Sequence, residues 1–125
     1  MQVDVEPPMP AGPAFARGPA VVSVSGEIDA SNAKDIDSRV EPLFARRHDV
    51  IIDLAAVSFI GSCGLWVVVG LPQVARTYGV GCAVVTNDTV DRLLHVVNHC
   101  RPPWVFDDRS SATDALATEG LWLAS

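Results

Sequence analysis

Ser62 is the residue of this chain best placed to do chemistry. It sits in Gly61-Ser62-Cys63-Gly64, between an apolar run, Val50-Ile51-Ile52-Asp53-Leu54, and an apolar stretch of helical length. A serine at a strand-to-helix turn presents its hydroxyl beside helix N–H groups that have no intrahelical partner. Those donors, with the positive end of the helix dipole, suit the holding, addition or removal of a phosphate. Cys63 follows directly, and a thiol in the first turn of a helix is in a setting that favours thiolate chemistry. A hydrolase nucleophile is a poor reading, because the four residues do not form Gly-x-Ser-x-Gly and the three histidines fall near far helix ends. His95 and His99 stand four apart beside Cys100, too few ligands for a metal site, and no cofactor motif is present.

The elements that must position Ser62 are legible from periodicity. Residues 1–19 are rich in proline, glycine and alanine, and read as a loosely held arm or a long hairpin connection, with strand only at Gln2–Val5 or Ala14–Arg17. A regular domain spans 20–125. Ala20–Ser25 reads as a strand stopped by Gly26. Ser31 is the expected N-cap of a helix whose apolar face is Ala33, Ile36, Val40, Leu43 and Phe44. Arg46-Arg47-His48 would complement its C-terminal dipole. After the Val50–Leu54 strand, a second helix is expected over Ser62–Tyr78, closed by Gly79 and kinked or broken at Pro72. Cys82–Val85 is a third strand, Thr89–Asn98 a third helix and Trp104–Phe106 a short last strand. Ser111–Asp114 has the form of a capping box opening a helix toward Leu121. Strands alternating with helices at this spacing predict right-handed crossovers: an α/β fold of four to five strands in a mostly parallel, mixed sheet with about four helices.

Composition narrows the functional classes. A formal charge of −6, with nine Lys and Arg spread along 125 residues, argues against nucleic-acid binding. No apolar run approaches the length of a membrane span, and no basic segment precedes an apolar one at the N-terminus, so a cytoplasmic protein is expected. Three cysteines lack metal-ligand spacing. Free thiols are the favoured reading of Cys63, Cys82 and Cys100, with redox activity open at each. A bridge, were one to form, would join Cys82 and Cys100, at the opposite end of the sheet from Cys63.

Three motifs in order give the chain a family resemblance: Gly26-Glu27-Ile28-Asp29, then Ile51–Leu54 with Val57-Ser58-Phe59-Ile60, then Gly61-Ser62-Cys63-Gly64-Leu65. From about Ala20 to Ala117 the sequence resembles STAS domains, specifically bacterial anti-sigma-factor antagonists, which usually show Gly-Glu-Leu-Asp at the first position and Asp-Ser-Ser-Gly-Leu at the last. Gly61 replaces the usual aspartate here, leaving Ser62 to cap its own helix, and Cys63 replaces the second serine. The resemblance implies a non-catalytic module that binds an anti-sigma factor, often a serine kinase, and is released by phosphorylation of Ser62 and reset by a phosphatase. It places Asp29, Ser31, Ser58, Gly61, Ser62, Cys63, Gly64, Leu65 and Trp66 at the partner surface. Gly64 would there admit a partner's backbone or an unusual backbone angle, and Trp66 would be an anchor or ordinary core. It implies a monomer or weak dimer without cofactor. The alternatives are a sensor or scaffold binding a small anion or nucleotide beside Ser62, and redox control through Cys63.

Overall fold

A computed structural model describes residues 1–6, 19–98 and 102–118. Their five strands form one sheet in sequence order: β1 (Gln2–Glu6), β2 (Ala20–Ile28), β3 (Val50–Ile60), β4 (Cys82–Val85) and β5 (Val105–Phe106). β1 runs antiparallel to β2, and the other three pairings are parallel. Helices α1 (Ala33–Ala45), α2 (Ser62–Thr77) and α3 (Asp88–Asn98) join successive parallel strands, and α4 (Arg109–Thr118) follows β5. The mixed α/β sheet expected from the alternation of elements is therefore present. The expected strand at Ala14–Arg17, together with His99, Cys100 and the helix end near Leu121, lies outside the described residues.

The core forms where strand and helix periodicities agree. Val22, Val24 and Ile28 of β2 and Val50, Ile52 and Leu54 of β3 are all buried, as are the five apolar residues that mark the face of α1. Beyond Leu54 the buried positions of β3 come three apart, at Val57 and Ile60, rather than two. The pairing explains this: the register against β2 shifts between Ser23 and Ser25 and again between Gly26 and Glu27, each time with one extra residue in β3. Each bulge resets the alternation and returns Val57 and Ile60 to the face that bears Ile28. Gly26 does not end β2; at φ +88° it sits between the two irregular steps and the strand continues to Ile28.

Asn87 braces the bulged stretch of β3 through three of its carbonyls. Its Nδ2 donates to the carbonyls of Val57 (2.7 Å), Ala55 (3.2 Å) and Leu54 (3.3 Å). Its Oδ1 accepts from the Val90 N–H at 2.8 Å, capping α3 one residue earlier than periodicity suggests.

The helix ends correct several expectations. Asn32, not Ser31, is the N-cap position of α1. α4 begins at Arg109, before the expected Ser111, because Asp108 accepts the Ser111 N–H at 2.7 Å. That bond also holds the Asp108 carboxyl below its ordinary range. α2 runs unbroken through Pro72, whose buried ring offsets the missing hydrogen bond. Gly79 does close α2: at φ +76° it lets its own N–H reach the Arg76 carbonyl and that of Val80 reach Ala75. α1 ends in the same six-residue pattern, with Arg47 N–H on Phe44 and His48 N–H on Leu43. Its left-handed position is filled by Arg47 at φ 65°.

Two stability predictions follow from these polar fastenings. Asn87→Ala is expected to lower the unfolding free energy by about 2 kcal/mol in a urea titration, the cost of the lost carbonyl hydrogen bonds plus a lost cap. Asn87→Asp keeps the cap but sets an acceptor-only carboxylate against the same carbonyls, so it should be destabilised at neutral pH and recover in part as that carboxylate is protonated. Arg47→Gly should raise stability by about 1 kcal/mol by relieving the left-handed conformation.

Candidate functional site

The site is built where β2 and β3 end side by side. Ile28 pairs with Ile60, and the next N–H, that of Gly61, donates to the Ile28 carbonyl at 2.8 Å. Gly61 is itself the N-cap of α2, with extended backbone, and its carbonyl takes the first helical bond from Leu65 N–H. Ser62 is thus the first helical residue rather than the cap, which frees its side chain from a capping role. Ser62 and Cys63 are both exposed.

Gly64 has a different task from either one expected. A Cβ at this position would lie 2.6 Å from Ile28 Cγ2 and 2.9 Å from Ile60 Cγ1. The glycine is buried and lets the first turn of α2 lie directly on the strand ends; it offers no surface to a partner. Leu65 beside it is also buried, with 6% of its surface exposed, so it supports the site from beneath. Trp66 points the other way and is 64% exposed. Being four residues after Ser62, it shares that residue's face one turn along the helix. Trp66 is therefore not part of the core.

A residue outside the expected set joins this surface. Phe59 is 50% exposed, and its ring edge lies 3.8 Å from where a Gly61 Cβ would be. The signal was the bulge: with buried positions three apart in β3, Ser58 and Phe59 both fall outward. The backbone of Asp29 also borders Gly61, its Cα 4.0 Å from the same point. Asp29 opens a polar turn between β2 and α1. Its Oδ1 accepts from the Ser31 N–H (2.9 Å) and hydroxyl, while its own N–H donates to Asn32 Oδ1 at 2.9 Å. Asn32 Nδ2 in turn donates to the Glu27 carbonyl at 3.0 Å. The hydrogen bonds from the Ser31 hydroxyl and N–H hold the Asp29 carboxyl below its ordinary value. Its contribution to the turn is therefore present above the usual carboxylate range and is lost only as pH falls beneath it.

The other candidate residues lie apart. Cys82 starts β4, at the end of the sheet away from Ser62, and is completely buried; desolvation, then the charge of Asp49, pushes its thiol upward and keeps it neutral. Among the described residues, no group of three His, Cys, Asp or Glu is placed to hold a metal ion, and no helix is long and apolar enough to cross a membrane.

Close packing at residue 64 sets up a direct test. Gly64→Ala should destabilise the domain by about 1–3 kcal/mol, because Ile28 and Ile60 must both shift. Gly70→Ala serves as the control: nothing lies within 4 Å of a Cβ there, so chemical denaturation should show no loss.

Comparison with known proteins places this geometry. The STAS domain model matches residues 14–112. The crystal structure of an anti-sigma factor antagonist from Mycobacterium paratuberculosis superposes with a TM-score of 0.67 at 28% identity, covering 91% of this chain and 92% of that one. SpoIIAA in its unphosphorylated form superposes at 0.65 with 18% identity, over 94% of this chain and 99% of that one. The phosphorylated form from Bacillus does so at 0.63 with 17% identity, over 92% and 99%. At those identities the last two speak for the fold alone. A search of curated protein sequences found no match. The ordered strand ends, the glycine-packed first turn of α2 and the serine exposed upon it are thus those of a STAS domain, and the chain belongs to that family.

Proposed function

We propose that this protein is an anti-sigma-factor antagonist whose binding surface is the first turn of α2 with the strand ends beside it. The observation that carries this reading is the joint exposure of Ser62 and Trp66 on one face of α2, where a large aromatic anchor lies one turn from a phosphorylatable hydroxyl. Phe59, Ser58 and Cys63 extend that surface, and the Asp29–Ser31 turn borders it. Leu65 and Gly64 act from below by fixing the helix. The 28% identical antagonist, aligned over nine-tenths of both chains, supports the same role.

In this reading the partner is an anti-sigma factor with serine-kinase activity, and this cytoplasmic chain is its substrate and not itself an enzyme. The Ser62 Oγ attacks the γ-phosphorus of ATP bound to the kinase. The bond to the β,γ-bridging oxygen breaks, ADP leaves, and the hydroxyl proton passes to a base on the kinase. The product carries about −1.5 to −2 charge at a helix N-terminus, where free N–H groups and the dipole tolerate it. The fold is kept while a docking surface acquires charge and bulk in place of a hydroxyl. A phosphatase would restore the hydroxyl.

Binding to the purified cognate anti-sigma factor tests the assignment, with thermal melts run in parallel. The parent and Ser62→Ala should bind alike, Ser62→Glu should bind at least about tenfold more weakly, and all three should melt together. Trp66→Ala should weaken binding by about tenfold or more without lowering the melting temperature. Incubation with the kinase and ATP should place phosphate on the parent protein at Ser62. Equal binding by Ser62→Glu, or phosphate mapped elsewhere, would refute the switch.

A further inference from the structure

Strand β1 is bonded on one side only among the described residues: it begins the sheet, and β2 is its neighbour. Alternate residues of such an edge aim their N–H and C=O groups away from the sheet. The two faces of this edge differ in chemistry. Val3 and Val5 point to one face and continue the alternation of Met1; Met1 and Val5 are each more than a third exposed. A cavity of about 280 Å³ opens there between the strand and α1, lined by Met1, Val3, Asp35, Ser38 and Arg39. Asp4 and Glu6 point to the other face, both exposed. Asp4 lines a second hollow of about 250 Å³ with Ser23, Ser25, Asp53 and Arg109. Arg109 is the cation there, and it is already engaged by Asp53 (2.6 Å), the Ser23 hydroxyl (2.8 Å) and Glu6 (3.5 Å). Negative charge is therefore in excess on this side.

We propose that the edge of β1 away from β2, unpaired among the described residues, accepts an extended segment of a partner protein whose side chains alternate between basic and apolar. Main-chain hydrogen bonds to the strand supply the pairing, and the two faces supply the selection. Apolar side chains of the incoming strand fall on the Val3 side, beside the exposed Met1 and Val5 rather than over the polar cavity against α1. Its lysines or arginines fall beside Asp4 and Glu6. The overall charge of −6 favours the approach of a basic segment. The same carboxylates disfavour a second copy of this chain. Antiparallel pairing of two β1 strands in full overlap would set Asp4 against Asp4, and like charges directly opposite are destabilising.

The probe is the peptide Lys-Val-Lys-Val-Lys-Val-Lys, titrated into the isotope-labelled full chain and followed by amide NMR and hydrogen exchange. Binding is expected to shift the Gln2–Glu6 amides and slow the exchange of alternate ones. Affinity should fall on adding salt, and by about tenfold in Asp4→Lys. Asp4 is exposed, so that variant should melt like the parent; should it fail to fold, the salt dependence of the parent decides. Peptides with Glu for Lys, or with the lysines and valines in separate blocks, should not bind. No binding of the alternating peptide, equal binding of the control peptides, or shifts confined to residues away from β1 would overturn the proposal. So would sedimentation of the free protein as a dimer that Asp4→Lys abolishes or strengthens, since the edge would then belong to a second copy.

Discussion

The first turn of α2 lies against the ends of β2 and β3 because residue 64 has no side chain. Nearly every property of the Ser62 surface descends from that contact. With the helix pressed onto Ile28 and Ile60, Leu65 is driven inward and Trp66 outward, and Ser62 is lifted to the rim. The Gly61 N–H on the Ile28 carbonyl ties the helix entrance to β2 as well as to β3. A serine on a mobile loop would present a hydroxyl of uncertain direction. Here the hydroxyl belongs to a helix anchored to two strands, so a charge added to it is delivered at a defined place.

A small number of polar side chains do the remaining fastening, each serving more than one element. Asn87 joins the end of β4 and the start of α3 to the irregular part of β3. Arg109 joins α4 to β3, β2 and β1 through Asp53, the Ser23 hydroxyl and Glu6. Tyr78 links the end of α2 to α1 through Glu41 at 3.1 Å, and its ring lies 6.2 Å from that of Phe44. Asp49 accepts the Gly81 N–H at 2.8 Å, holding the entries to β3 and β4 together. Among the described residues no buried side-chain nitrogen or oxygen is left without a partner. Each bond contributes only about 1 kcal/mol net, but leaving its partner buried and bare would cost more.

Much of this architecture is written in the sequence as periodicity. The face of α1, the start of β3 at Val50, the strand at Cys82–Val85, and the glycine that closes α2 follow from spacing and from one left-handed position; β3 runs on past the expected end at Leu54 to Ile60. The misreadings share a cause: local preference was overruled by a contact that spacing alone does not show. Ser31 looks like a cap, yet its hydroxyl is taken by Asp29, and the helix starts one residue later. Gly26 looks like a stop, yet β3 pairs beyond it. Pro72 looks like a break, yet its ring is buried in the helix that carries it. At the site, the position of Ser62 was legible from its motif. Gly64 as a spacer and Phe59 as surface were not, because both depend on the registration of β3 against β2.

That registration has a consequence for how such a sequence can change. β3 spends two more residues than β2 in reaching the same point, one at each bulge. Deleting the extra residue of either bulge would restore a regular ladder there and still leave Ile60 on Ile28. A one-residue change that no bulge absorbs would instead exchange inside and outside between that point and Gly61. Length in this segment can therefore vary only where a bulge takes up the difference, and the serine surface inherits its position from a count of residues as much as from their kinds.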